Sequence, residues 1–283
     1  MTKKINLLLV LALMAVGTMQ AQDLSTELQL DPNITYGKLD NGFTYYIRHN
    51  EEPENRMEMR LVVNAGSVLE NDSQQGIAHL MEHMCFNGTE HFEKSAIVDF
   101  IESTGVKFGQ HLNAYTSFDE TVYMLQMPVD RTGLIDTAFL IMEDWAHNVS
   151  LETEEIDKER GVVIEEWRLG LGADERMRQQ YFPVLLKGSK YANRVPIGKK
   201  EIIENCPYDT IRAFYNDWYR PDLMAMVVVG DVDPAEMENK IKEHFAHIEN
   251  PKNERKRKEF SIPDNKEPLI AIATDEEATY SMT

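Results

Sequence analysis

His79-Leu80-Met81-Glu82-His83 is the segment whose residue types and spacing point most directly to chemistry. On a helix, side chains four apart stack on one face, so the two imidazoles can share one metal ion. Glu82 lies beside them, close enough to hold a water acidified by that metal and to take its proton as general base. With 8 His and 48 acidic residues among 283, one H-x-x-E-H string arises by chance in at most about 4% of such chains. The flanking Ile77, Leu80, Met81 and Met84 are apolar and mark a buried helix, where two unpaired histidines are costly. A zinc site that does chemistry takes three protein ligands and leaves one position to water, so a third ligand must come from elsewhere.

A second cluster supplies it. Glu159, Val162, Val163 and Glu166 recur at i, i+3, i+4 and i+7, one face of a long helix. Two carboxylates on the apolar side of a helix need a cation or a donor. Glu165 points about 100° away from Glu166, given 3.6 residues per turn. We assign Glu166 as the third ligand and Glu159 as the group that orients a histidine N–H. The expected cofactor is one Zn2+ per domain.

These side chains need elements to position them. Residues 34–39 and 43–48 have strand composition and flank Asp40-Asn41-Gly42, which predicts a β-hairpin with a type I′ turn. Residues 57–65 read as a third strand. Residues 73–86 read as a helix ended by Asn87-Gly88, and residues 95–103 as a helix stopped by Gly105. Residues 106–117 and 121–127 read as paired strands. Residues 131–147, 152–175, 208–218 and 234–247 read as helices, and 224–230 as a buried strand. Strands early, helices later and strands again predict an α+β fold, a mixed, largely antiparallel sheet with helices mainly on one face.

The chain carries 29 basic and 48 acidic side chains, a formal charge of −19. Such a field repels phosphate backbones, so no nucleic-acid partner is expected. A 42% hydrophobic content supports a sizeable core and argues against disorder, while 15 Gly and 2 Cys exclude collagen-like and disulfide-dense classes. Lys3 and Lys4 precede a soft apolar run over residues 5–16, short for a membrane span, and small and polar residues follow. This predicts an export signal over residues 1–21, with Met19 a poor match three residues before the cut. No membrane span is expected after its removal, and the mature chain is two charges more negative. The destination is periplasmic or secreted. The expected domains are 1–21 signal, 22–250 zinc-binding domain, 251–265 linker and 266–283 the start of a truncated second domain. The basic residues 255–258 belong to the solvated linker, and 269–273 read as a new strand.

The motif residues together resemble the pitrilysin/insulysin (insulinase) family of zinc metallopeptidases, the inverted zincins, which includes the mitochondrial processing peptidase. Besides His79–His83 and the Glu159/Glu166 pair, Asn113-Ala114-Tyr115-Thr116-Ser117 is similar to the family's N-A-x-T-S strand. Trp218-Tyr219-Arg220-Pro221 and Val227-Val228-Val229-Gly230-Asp231-Val232 are similar to the phrases that close its first domain. The resemblance spans roughly residues 30–250 and implies a zinc metalloendopeptidase acting on peptides or unfolded segments. His79, His83 and Glu166 would bind the metal, and Glu82 would be the base. The strand holding Asn113 and Ala114 would pair with the substrate backbone, an edge-strand mode that tolerates varied sequences. Phe108 and Tyr115 are open between lining a side-chain pocket and filling the core. The family's catalytic half closes against a second, homologous half, in the same chain or in a partner subunit, which contributes an Arg and a Tyr. The second half is expected to be missing here, leaving this chain weak or inactive alone. Two rivals stand beside this reading: a non-catalytic peptide-binding or scaffold subunit of the same fold, and a zinc hydrolase with a non-peptide substrate.

The remaining features read as structural. Cys85 and Cys206 are expected to be free and buried. His244 and His247 read as solvated, His111 as a residue near the substrate strand, and His49, His91 and His147 as histidines without a nameable partner. The N-x-S/T sites at Asn33, Asn71, Asn87 and Asn148 carry no further argument.

Overall fold

Alternation of apolar and polar residues builds the sheet in a computed structural model that describes residues 29–106, 109 and 112–278. The strands are β1 (Ile34–Lys38), β2 (Thr44–His49), β3 (Arg56–Val63), β4 (Leu112–Thr116), β5 (Thr121–Pro128) and β6 (Met224–Gly230). They lie in the order β1-β2-β6-β3-β5-β4. Only β2 and β6 run parallel; every other neighbouring pair is antiparallel. The expected export signal lies outside the described residues, as do Phe108 and His111.

The sheet is one-sided. Met57, Met59, Leu61 and Val63 of β3 are buried, while the intervening Arg56, Glu58, Arg60 and Val62 face the other side. β6, the last strand in sequence, fits between β2 and β3 and buries Met224, Met226 and Val228. Burying each such side chain contributes roughly 1.5–3 kcal/mol before entropy is counted. Eight α-helices occur among the described residues: α1 (Ile77–Met84), α2 (Ala96–Ser103), α3 (Leu134–His147), α4 (Thr153–Gly170), α5 (Ala173–Leu185), α6 (Lys200–Asn205), α7 (Tyr208–Trp218) and α8 (Pro234–Phe245). The expected α+β class and the largely antiparallel mixed sheet are what the chain forms.

Several expected boundaries move. The first hairpin is not type I′, because Gly42 alone has a positive φ (95°) and its N–H closes a turn onto the Leu39 carbonyl. Asn41 instead spends its amide on the carbonyls of Phe245 and Ile248, at 2.7 and 2.9 Å. The helix expected from residue 73 begins at Ile77. Asn71 Oδ1 accepts the N–H and hydroxyl of Ser73, and Gly76 turns left-handed at φ 100°, so residues 71–76 form a turn. The helix expected over 152–175 breaks at Leu171-Gly172 into α4 and α5.

The segment after α8 is largely exposed, as expected, but it is tied to the domain. Arg255 pairs with Asp217 at 3.0 Å and stacks over Trp218, and Arg257 donates to the Asn64 carbonyl at 2.8 Å. No strand forms over 269–273, where Ile270 and Ile272 are exposed. Cys85 and Cys206 are free and buried, as expected.

Candidate active site

The helix that carries the motif is fixed at both ends. At its start, the buried Glu70 carboxylate accepts the N–H groups of Gly76 and Ala78 at 3.0 and 2.9 Å. Beyond its end, the Trp145 indole of α3 donates to the Cys85 carbonyl at 2.9 Å, and Asn87 donates to the His83 carbonyl at 3.0 Å. Between these anchors, Ile77, Leu80, Met81 and Met84 are buried, and His79 and His83 are turned toward a cleft.

The two imidazoles meet edge to face, with Nε2 atoms 3.3 Å apart. Glu166 Oε2 of α4 stands 3.7 Å from His79 Nε2 and 3.4 Å from His83 Nε2. Ligands about 2.0–2.1 Å from a tetrahedral zinc lie about 3.3–3.4 Å from one another. The two histidines and this carboxylate therefore have the spacing of one face of a zinc tetrahedron. They are the one group of three or more candidate metal ligands among the described residues. Glu165 points outward and pairs with Arg168 at 2.9 Å, as the helical phase requires.

Surrounding groups set the state of each side chain. Burial pushes the His79 pKa down to about 3, with His83 adding to the shift, so the ring is a neutral donor. Burial also pulls on His83, but Glu159, Glu82 and Glu166 outweigh it and hold that pKa above the ordinary value. His83 Nδ1 lies 2.7 Å from Glu159 Oε1, and the other Glu159 oxygen accepts from Asn87 at 2.8 Å. This contact aims His83 Nε2 into the cleft. Glu82 is buried, which raises its carboxyl pKa; a 2.6 Å hydrogen bond from the Thr116 hydroxyl opposes that rise.

Thr116 belongs to β4, the edge strand beside the cleft. The Ser117 N–H donates to the Glu120 carbonyl, so 117 and 120 form a hydrogen-bonded pair. Alternation along the ladder then directs the backbone groups of Ala114 and Thr116 away from β5, toward the free edge. The Ala114 N–H is occupied at 2.9 Å by the Asn113 side-chain oxygen. Asn113, Ala114 and Tyr115 line the cleft with His79, Glu82, His83, Glu159, Val162 and Glu166. Its volume is about 780 Å³. Tyr115 is 44% exposed, which excludes the core alternative for it.

Sequence reasoning misses two residues of this site. Asn87 reads as a helix terminator, and only the fold brings it to Glu159. Thr116 stands inside the quoted strand motif, but its partner is 34 positions away. His244 is not solvated as expected: it is 15% exposed and lies 2.6 Å from Glu143, whereas His247 is 60% exposed, in line with the expectation, and lies 3.2 Å from the same carboxylate. His91 bonds to the fully buried Asp144 at 2.8 Å.

Comparison with known proteins adds to this geometry. A model of the insulinase family, peptidase family M16, matches residues 45–179, and one described as the peptidase M16 inactive domain matches residues 205–282. The second match covers none of His79, Glu82, His83 and Glu166. "Probable zinc protease PqqL" of Haemophilus influenzae is 38% identical over 258 residues, 90% of this chain and 28% of that protein. "Zinc protease PQQL-like" of Arabidopsis thaliana is 38% identical over 263 residues, 92% of this chain and 28% of that protein. The crystal structure of the first half of the periplasmic protease PqqL from Escherichia coli is similar at a TM-score of 0.79. Its identity is 34%, over 86% of this chain and 51% of that one. The chain thus spans little more than a quarter of the length of the curated relatives it matches.

Proposed function

The chain belongs to the insulinase family of peptidases, and from that premise we propose that it carries the active site of a zinc metalloendopeptidase. The observation that carries this reading is the convergence of His79, His83 and Glu166 within 3.7 Å beside a buried Glu82. His79, His83 and Glu166 hold one zinc, and Glu159 keeps the His83 ring in place. A zinc ion held there supplies Lewis acidity toward water and the scissile carbonyl. Glu82 takes the proton of the attacking water and delivers it to the departing amine. Its pKa, raised by burial, suits that exchange, because a more basic carboxylate accepts the proton of water more readily. The free edge of β4 binds an extended peptide through Ala114 and Thr116, and the Asn113 side chain yields the Ala114 N–H to the substrate.

The substrates are peptides or unfolded segments, which present an extended backbone to a strand edge. We place the protein outside the cytoplasm, on the strength of the charged and apolar N-terminal residues and of a relative described as periplasmic. The longer relatives support a further, homologous part that completes the enzyme, in the same chain or in a partner subunit. The inert-subunit reading is disfavoured because all four site residues are present and converge. The test uses the full-length protein. Elemental analysis is expected to find one zinc per active-site domain, and Glu82→Gln is expected to keep the zinc and lose peptide hydrolysis. Zinc-free protein purified with zinc in the buffer, or a fully active Glu82→Gln variant, would refute the reading.

A further inference from the structure

Glu70 is a buried carboxylate that the hydrolytic scheme does not use. Its Oε1 accepts two N–H groups, from Gly76 and Ala78, at the start of α1. Its Oε2 is buried with no partner among the described residues. The helix has no other cap: Gly76 stands at the N-cap position and offers no side chain. Arg194 acts on the Glu70 carboxyl through its charge but spends its N–H groups on other acceptors. Its guanidinium donates to the Glu70 backbone carbonyl at 3.1 Å, to the Asn193 carbonyl at 2.8 Å and to Asp72 at 2.5 Å.

The position of this carboxylate matters for a cation. Gly76 is the cap, so His79 is the third residue of the helix and lies in its first turn. A helix N-terminus carries roughly half a positive charge, which repels a divalent cation bound in the first turn. A carboxylate at that terminus cancels the repulsion. Burial raises the Glu70 carboxyl to about 8 even though the helix N–H groups and Arg194 lower it, so keeping an acid here is costly and its offsetting charge is fully present only above that pH. A glutamine of the same shape could accept the same N–H bonds at lower cost.

The geometry points to Glu70 as a positioning residue for the metal site: it closes the first turn of the ligand helix and offsets the helix's positive end beside His79. This rests on the zinc reading above. A close glycine pair fixes the depth at which the turn sits. A Cβ on Gly198 would lie 2.2 Å from the Gly76 Cα, and Lys199 N–H donates to the Gln75 carbonyl at 3.3 Å. The loop bearing Pro196 and Ile197, which line the cleft, is thereby docked on the same turn.

The test compares Glu70→Gln, which keeps an acceptor without charge, and Glu70→Asp, which keeps the charge one methylene short. Zinc affinity is read in the full-length protein near pH 9, where Glu70 is ionised, by competition with a chromophoric chelator, and thermal unfolding is read on the metal-free form. Glu70→Gln is expected to bind zinc about tenfold more weakly, with metal-free stability unchanged or raised. Glu70→Asp is expected to bind more tightly than Glu70→Gln. A merely structural cap predicts the opposite: lower metal-free stability and unchanged zinc affinity. Zinc binding by Glu70→Gln within twofold of the parent would overturn the inference while leaving the zinc reading intact. A parent protein that binds no zinc would instead remove the zinc reading itself. If neither variant folds, Glu70 serves the fold and not the metal, and the inference is likewise overturned.

Discussion

Glu159 never enters the set of three converging donors, yet it decides where one of them points. Its Oε1 holds His83 Nδ1 at 2.7 Å and its Oε2 is braced by Asn87 at 2.8 Å. The contact leaves His83 Nε2 as the free donor and fixes its ring plane. Glu159→Ala is expected to weaken zinc binding about 10- to 100-fold while the secondary structure stays intact. Competition with a chelator, alongside far-ultraviolet circular dichroism, checks both halves of that expectation. An unchanged zinc affinity would reduce Glu159 to a partner of Asn87. At this scale the sequence is legible where function depends on local spacing. His79, Glu82 and His83 share one helix, and Glu159 and Glu166 share another, so periodicity alone groups them. Thr116 and Asn87 escape because their partners come from other elements, and a hydroxyl or an amide in a loop has many ordinary uses.

At the scale of elements, the site depends on how α1 and its following loop are tied to α3. Residues 88–92 run beside residues 148–150, with the Glu90 N–H on the Asn148 carbonyl and the Ser150 N–H on the Gly88 carbonyl. The fully buried Asp144 carboxylate gathers this junction, accepting from Thr89, Asn148 and both the ring and the backbone of His91. Its hydrogen bond raises the His91 pKa above the ordinary value, and the opposite charge adds to the rise. A raised folded-state pKa gives a contribution that is full below the unfolded value, about 6.5, and fades as pH rises through the folded value. The junction should therefore lose stability above neutrality. The imidazole is 44% exposed, so solvent limits the effect to less than about 1 kcal/mol. Urea titrations near pH 5.5 and pH 8.5 should show the parent's advantage over His91→Gln shrinking at the higher pH. A pH-independent difference would mean that the ring contributes packing alone. This junction was invisible to periodicity, which dates helices and strands by their apolar faces. The same limit explains α1's late start and the break between α4 and α5: side chains of Asn71 and turns at Gly76 and Gly172 override a continuous helical pattern.

For the whole molecule, the least legible part of the sequence is the stretch after α8. Polar and basic composition reads as a connector, because composition reports solvation and says nothing of where a chain is tied. In the structure, residues 251–278 run back along the domain: Arg255 meets Asp217 and Trp218, Arg257 meets Asn64, and Phe260 lies under Lys190. The described path reaches α5, where Arg176 binds both Asp275 oxygens at 2.7 Å and reaches Glu277 at 2.7 Å. Arg176 also donates to the Leu171 carbonyl at the corner between α4 and α5, so this strap is joined to the helix that carries Glu166. The planar guanidinium suits that arrangement, because its fork binds both Asp275 oxygens side by side while further N–H groups reach Glu277 and the Leu171 carbonyl. Arg176→Lys keeps the charge but loses the fork, and it is expected to free the strap as effectively as Arg176→Ala. Lys266 is exposed within the strap, between the Phe260 and Asp275 attachments, and offers a tryptic site. Cleavage there tracks the population of detached strap when detachment is fast relative to cleavage. Both variants should accelerate cleavage after Lys266 several-fold at low trypsin, read by mass spectrometry, with little change in global unfolding. Salt should accelerate cleavage of the parent toward the variants' rate, since the anchor is a partly exposed ion pair. Equal rates in parent and variants would mean that the contacts from Arg255 to Phe260 hold the strap without Arg176.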